Sequence, residues 1–432
     1  MSTTPPSPTS VPAEAPRRAA LRSLDEALAA LLADLAPVCA AAPEVLPTAD
    51  ALGRVLAADV VSLLDVPPAD NTSMDGYAMR AADVPREGAV LPVSQRIPAG
   101  VVGEPLQPGT AARIFTGAQV PAGADAVVMQ EVCEALPDGT VRVNQVPTPG
   151  QWVRRRAEDV ARGAVVLAAG TRLTPAALGL AASVGAATLA VARRPRVAVF
   201  STGDELVMPG EVAPEAMRPG AIYNSNRYTL RGLLQALGCE VDDLGIVPDR
   251  REATRAALRE AAAGHDLIVT SGGVSAGEED HLKPAVEAEG RLSLWQVAMK
   301  PGKPLAFGAV RRPEGAGEAA FIGLPGNPVS VFVTFLLTVR PLLLALQGVP
   351  AAQATRLPAL PLPAGFDWPR PDRRREFVRA RVGDDGRVLL FPNQSSGVLT
   401  SAVWAEGLVD IAAGQAITAG ETVRFIPLAA LN

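Results

Sequence analysis

Histidine is nearly absent from this chain: His265 and His281 are the two in 432 residues. That excludes a histidine-rich metal centre and leaves little room for a serine–histidine nucleophile scheme. Cysteine is almost as scarce. Cys39, Cys133 and Cys239 are odd in number and far apart, so they make neither a disulfide framework nor a zinc-ligand set and read as small buried hydrophobes. Aromatic residues make up 4% of the chain and the formal net charge is −5. A nucleic-acid binder needs a stacking platform or a basic face, and neither is supplied. The longest apolar stretch, from Val329 to Val339, is too short to span a bilayer and carries Ser330 and Thr334. Residues 1–18 are mostly Pro, Ser, Thr and Ala, without the apolar stretch of a signal peptide, and read as a disordered tail. The cytoplasm is the expected location, with no membrane or nucleic-acid partner.

What is present is core material. Apolar residues are 48% and charged residues 20%, a globular balance, in a length that holds about two to four domains. Ser23-Leu-Asp-Glu26 is a capping box, and Leu24, Leu28, Leu31, Leu32 and Leu35 recur at helical spacing. Over 59–159 the texture changes to short β-prone runs, such as 112–115 and 126–129, between Pro/Gly turns; this predicts a β-rich domain. Residues 172–193 return to Ala, Leu and Val with helical texture and are expected beside the first helix. That makes 19–58 and 160–193 a discontinuous linker domain. From 194 to 347 apolar strands at 197–200, 240–246 and 267–270 alternate with helices at 226–237 and 250–263, and an apolar helix at 329–346 closes the run. Such alternation predicts a mostly parallel central sheet covered on both faces. Runs at 377–382, 387–391 and 421–426 predict a small, barrel-like β domain over 350–432. The expected fold is multidomain, with α/β and β parts.

The chemistry is concentrated in loops. One predicted strand runs into Ser201-Thr-Gly-Asp-Glu205 and another into Ser271-Gly-Gly-Val-Ser-Ala-Gly-Glu-Glu-Asp280. Ligands of open parallel sheets bind at the carboxyl ends of strands. Gly272 and Gly273 would let backbone N–H groups approach an oxyanion, and Ser271 adds a hydroxyl. Asp204, Glu205, Asp249, Glu278, Glu279 and Asp280 would lie at the same end. Carboxylates beside phosphates suit Mg²⁺, with Asp249 and Asp280 as the expected ligands. Met299-Lys-Pro-Gly-Lys-Pro304 offers the ammonium groups of Lys300 and Lys303 on a proline-stiffened segment. Gly323-Leu-Pro-Gly-Asn-Pro-Val-Ser330, with Pro325 and Pro328, opens a helix whose first N–H groups can cradle an anion. The segment 302–304 lacks the Ser or Thr of a Walker A loop, and no G-x-G-x-x-G follows a strand. Asp70-Asn-Thr-Ser-Met-Asp-Gly-Tyr77 is too polar for a strand, and 154–159 carries three arginines and two acids.

Together, D-N-T-S-M-D-G-Y-A, F-T-G-A, R-R-R-A-E-D, S-T-G-D-E-L, S-G-G-V-S-A-G-E-E-D, K-P-G-K-P and G-L-P-G-N-P-V-S resemble, in order and spacing, the molybdopterin molybdenumtransferase (MoeA) family, similar also to the gephyrin E domain. The resemblance runs from about residue 20 to the end. It implies insertion of molybdenum from molybdate into adenylylated molybdopterin, with release of AMP and with Mg²⁺. It implies an elongated homodimer with an active site shared between subunits, and a molybdopterin adenylyltransferase as upstream partner. By position, the family's functional residues fall on Asp75, Thr116, Asp159, Glu205, Asp249, Asp280 and Lys300. Arg379 and Ser396 match its C-terminal arginine and serine as substrate-binding groups.

Three positions depart from the family pattern. Gln296 follows Trp295 where a lysine is frequent, Ala157 follows the arginines where glycine is usual, and His281 replaces a common aromatic. Two other readings compete. One is adenylyl transfer from ATP to molybdopterin by the α/β part alone, against which the Asp75 loop counts. The other is a non-catalytic scaffold, which would have no reason to keep Asp75, Glu205, Asp249 and Asp280.

Overall fold

The structure is a computed structural model that describes residues 21–33, 35, 42–274 and 281–431, with backbone alone at 294 and 295. The tail, Cys39 and the Glu278-Glu279-Asp280 acids lie outside the described residues. Contacts divide the chain into two compact units, Ala41–Arg193 and Met1–Ala40 with Arg194–Asn432.

The larger unit is organised by a six-stranded sheet. In chain order its strands are β1 (Arg196–Thr202), β2 (Glu240–Val247), β3 (Leu267–Ser271), β4 (Gly290–Gln296), β5 (Pro304–Arg311) and β6 (Glu318–Leu324). Their spatial order is β2-β1-β3-β6-β5-β4. The first four are parallel, and β5 pairs antiparallel with both β6 and β4, so β5 alone runs against the rest. The sheet is mostly parallel, as expected, with β5 as its one reversed strand. Strands β5 and β6 hold Gly and Ala where β-branched residues would announce a strand, which hid them from pattern reading. Alternate residues of a strand face opposite ways. Accordingly Val197, Val199, Leu267 and Val269 feed one core cluster, and Ala198, Phe200 and Ile268 feed another. Each large apolar side chain so buried contributes about 1.5–3 kcal/mol.

Helices cover both faces. On one lie α1 (Leu24–Ala33), α2 (Ser225–Ala236) and the apolar helix Pro328–Leu346. On the other lie α3 (Arg251–Gly264) and α4 (Leu282–Glu289). The capping box forms as spaced: the Ser23 N–H and hydroxyl donate to Glu26 Oε2 at 2.8 and 2.9 Å, and the Glu26 N–H returns to Ser23 Oγ at 3.2 Å. The placement of α1 is a correction. Leu24, Leu28, Leu31 and Leu35 share a core with Leu230, Leu336 and Leu343, so the helix belongs with the α/β sheet and not beside 172–193. Its leucine stripe meets the leucine-rich final helix. That final helix, Pro328–Leu346, matches the expected 329–346 to within one residue. Its 19 residues have the length and composition of a membrane span, yet most of it is buried in this core.

The C-terminal strands are β7 (Leu360–Pro363), β8 (Arg375–Val382), β9 (Val388–Leu390), β10 (Gly407–Ile411) and β11 (Thr422–Pro427). Pairings run β9-β8-β10-β11-β7, and the bridge from Ala364 to Val388 links the end of β7 back to β9. Met299–Lys300 adds to the free part of β8 in parallel register.

In the smaller unit, Glu44–Pro47 pairs with Thr188–Val191, and Ala51, Leu56, Val160, Leu173, Ala177 and Leu189 share a core. Residues 172–193 thus hold a helix, Pro175–Ser183, and a short strand, Thr188–Val191. A second sheet orders Ala126–Met129, Gly76–Met79, Ala111–Ile114, Ala89–Ile97, Thr140–Val143 and Cys133–Ala135 side by side. Tyr77 and Met79 point into one cluster and Ala78 into another, so this sheet is covered on both faces.

Candidate active site

The carboxyl ends of β1, β3 and β6 lie side by side. Ser201 pairs with Ser271 and Ser271 with Leu324, and the two buried serine hydroxyls meet at 3.1 Å. The Gly272 N–H then donates to the Leu324 carbonyl at 3.1 Å. Gly272 has φ +90°, and a Cβ built there would sit 2.6 Å from the Thr202 carbonyl oxygen; at Gly273 it would sit 2.8 Å from Thr202 Oγ1. Only glycine lets these two loops come this close. The loop after β6 joins them: a Cβ on Gly326 would lie 3.9 Å from the Gly272 Cα. Pro325 is buried, while Gly326 and Asn327 are exposed ahead of Pro328 at the helix start.

Two residues not singled out from sequence complete this end. Asn224 caps α2 by accepting the Arg227 N–H at 3.2 Å, and Asn226 donates to the Gly326 carbonyl at 2.7 Å. Tyr223-Asn-Ser-Asn226 before an amphipathic helix was a readable capping signal. Thr202 Oγ1, Asn224 Nδ2, Asn226 Oδ1 and Thr270 Oγ1 are buried without a hydrogen-bond partner among the described residues. Four orphaned polar atoms near one set of strand ends are costly unless something else engages them.

The acids follow the strands. Asp204 is exposed and accepts the Asp249 N–H at 3.3 Å, which joins the ends of β1 and β2. Glu205 folds over Gly203, where a Cβ would lie 2.6 Å from its Oε2. No group of three or more potential metal ligands occurs among the described residues. The Asp204 bond reaches the Asp249 backbone and brings the two residues to one end of the sheet, where carboxylates are the donor type that suits Mg²⁺ beside ligand phosphates.

The C-terminal strands bring Ser396 to this end but not the other expected groups. Asn327 Nδ2 donates to Ser396 Oγ at 3.1 Å, and the Val329 N–H donates to its carbonyl at 3.0 Å. Arg379 is 1% exposed and donates to Ser401 Oγ at 3.1 Å and to the Ser395 carbonyl at 3.2 Å. Burial pushes its guanidinium down to about 10. It holds the Ser395-Ser396 loop from beneath and does not present an open face. Lys300, expected as an anion donor, is paired instead: Nζ lies 2.9 Å from Glu376 and 3.6 Å from Asp372. Hydrogen bonds from Arg374 hold the Asp372 carboxyl far below the usual range, with Lys300 adding to the effect. Lys303 is half-buried with no side-chain partner among the described residues.

Asp75, Thr116 and Asp159 stand in the smaller unit. Asp75 Oδ1 accepts both the Thr116 hydroxyl and the Thr116 N–H, each at 2.7 Å. Those two bonds, with Arg113 nearby, hold the Asp75 carboxyl below the usual aspartate range. Asp159 is exposed, and its N–H donates to Val66. The loop before it contains Ala157 at φ +61°, its N–H on the Pro67 carbonyl at 3.0 Å. This explains why glycine suits that position. Ala157→Gly is expected to stabilise the unit by about 1 kcal/mol, since a left-handed alanine is strained. A urea titration that gives no gain would contradict this reading of the loop.

Comparison with known proteins agrees with this arrangement. The MoeA N-terminal region (domains I and II) matches residues 22–185, a probable molybdopterin-binding domain matches 198–345, and the MoeA C-terminal region (domain IV) matches 361–428. The molybdopterin molybdenumtransferase of Haemophilus influenzae is 44% identical over 300 residues, 69% of this chain and 72% of that protein. Molybdopterin molybdenumtransferase 2 of Mycobacterium tuberculosis is 41% identical over 381 residues, 85% of this chain and 91% of that one. The chain belongs to the molybdopterin molybdenumtransferase family. The fold agrees with that membership: a crystal structure of the molybdopterin biosynthesis MoeA protein from Pyrococcus horikoshii is 28% identical, with TM-score 0.78, and covers 94% of this chain and 100% of that one.

Proposed function

We propose that this chain acts in molybdenum cofactor biosynthesis, inserting molybdenum from molybdate into adenylylated molybdopterin and releasing AMP. The observation that carries the reading is the set of orphaned buried polar atoms on Thr202, Asn224, Asn226 and Thr270, beside the glycine loops. A phosphorylated, heteroatom-rich ligand would satisfy donors and acceptors of this kind. Family membership supports a molybdopterin-related ligand.

The residues then divide the work. Gly273 and the turn at Gly326-Asn327 would bring backbone N–H groups to the ligand's oxyanions, since the Gly272 N–H is held by Leu324 and the Val329 N–H by Ser396. Ser271 is tied to Ser201 and braces the loop. Asp249 and Asp280 would hold Mg²⁺, with Asp204 bonded to the Asp249 backbone. When bound, the ion neutralises phosphate charge as the phosphoanhydride breaks. Molybdate is a dianion substrate; Ser396 and Lys303 are its expected donors, and Lys300 becomes one only on leaving its carboxylates. The ligand's own dithiolene sulfurs capture the metal. Asp75, Thr116, Asp159 and Glu205 are the expected catalytic groups. A homodimer with an active site shared between subunits, an adenylyltransferase upstream partner and a cytoplasmic location complete the proposal.

The test is reconstitution of a molybdenum-dependent apoenzyme. Purified chain, adenylylated molybdopterin, molybdate and Mg²⁺ should together restore activity, and omission of the chain should not. No restoration would overturn the reading. Adenylylation of molybdopterin with ATP by the chain alone would favour the adenylyltransferase instead.

A further inference from the structure

Two cations face one aromatic ring beside Thr116. Strands Ala89–Ile97 and Ala111–Ile114 are parallel neighbours, in a register that sets Arg96 against Arg113. Like charges opposite one another in a sheet repel. Arg113 is compensated: it donates to the Gly76 carbonyl at 2.8 Å, the Ile114 carbonyl at 3.3 Å and Gln130 Oε1 at 2.5 Å, and it lies close enough to Asp75 to favour its charged form. Arg96 has no such set. Its guanidinium is exposed, stands 4.4 Å from the centre of the Phe115 ring, and meets no carboxylate among the described residues. The Arg113 guanidinium is also 4.4 Å from that centre.

An arginine stacked on a ring keeps its N–H donors at the rim and loses rotamer freedom, so it is ready to clamp a phosphate. Phe115 is half-buried, which fixes the platform, and the next residue is Thr116, whose hydroxyl and N–H hold Asp75. An ionised aspartate alone would repel an anionic ligand. An unpaired guanidinium on the adjoining residue offsets that repulsion and gives the ligand a handle.

We propose that Arg96 is a phosphate-binding residue of the Asp75–Thr116 site, held by Phe115 so that it clamps a phosphate of the adenylylated substrate. This rests on the function proposed above for the identity of the ligand, but not for the existence of an anion site. Arg96 is exposed on its strand, so Arg96→Ala should fold. Inorganic pyrophosphate is titrated calorimetrically into the wild-type chain, Arg96→Ala and Arg96→Lys. In parallel, KM is measured for adenylylated molybdopterin and for molybdate.

Loss of a charge-assisted clamp should weaken pyrophosphate binding in Arg96→Ala about tenfold or more, with partial recovery in Arg96→Lys. KM for adenylylated molybdopterin should rise by a similar factor and KM for molybdate should not. Pyrophosphate that fails to bind the wild type, or binds Arg96→Ala equally well, overturns the proposal. Arg96-dependent pyrophosphate binding without turnover would retain the anion site and overturn the assigned function.

Discussion

Asp75→Asn abolishes most turnover while the fold stays intact. The asparagine keeps a carbonyl oxygen where Asp75 Oδ1 now accepts two hydrogen bonds from Thr116, so the local geometry survives. What is lost is the charge, which Thr116 and Arg113 favour in the native protein. Removing a group that moves or balances a proton in the reaction costs about 10²–10⁴-fold in rate. We expect kcat to fall by about a hundredfold or more and the melting temperature to move by no more than about 2 °C. Initial rates of AMP release and a thermal melt read both quantities. Unchanged turnover would remove Asp75 from the mechanism and favour a scaffold role.

Gly272→Ala has a different signature, because it strikes the framework. The residue is at φ +90°, and its Cβ would lie 2.6 Å from the Thr202 carbonyl oxygen, a backbone atom that cannot swing away. One of the two loops must move. A displacement of about 1 Å in a reacting site can cost about a hundredfold, and the backbone strain adds about 1–3 kcal/mol of destabilisation. Gly386 provides the control: its φ is +77°, but a Cβ there meets nothing within 4 Å. Gly386→Ala should therefore lower the melting temperature and leave kcat/KM near the wild-type value, while Gly272→Ala lowers both. Equal kcat/KM in the two variants would mean that the close approach of the loops is not needed for function.

The sequence was legible where chemistry is local. Buried parallel strands are unbroken apolar runs, so β1 and β3 stood out, as did the glycines that follow β3. The capping box of α1 was equally plain, since its two bonds span three residues. The partner of α1 was not, because a leucine stripe does not name the surface it meets. Strands β5 and β6, with Gly308 and Gly323 inside them, carry too little β-branched character to announce themselves. The pairing of Lys300 with Glu376 depends on Met299–Lys300 joining β8, a contact between segments far apart in sequence. Arg379 was readable as a cation but not as a buried one. Asn224 and Asn226 resemble an ordinary cap until the Gly326 contact places them at the strand ends.

The most direct test counts molybdenum against AMP. The wild-type chain is incubated with adenylylated molybdopterin, Mg²⁺ and increasing molybdate, and both products are quantified over time. The account predicts equimolar appearance of AMP and pterin-bound molybdenum, both saturating with molybdate. AMP released without molybdenum bound, or neither product formed, would contradict it.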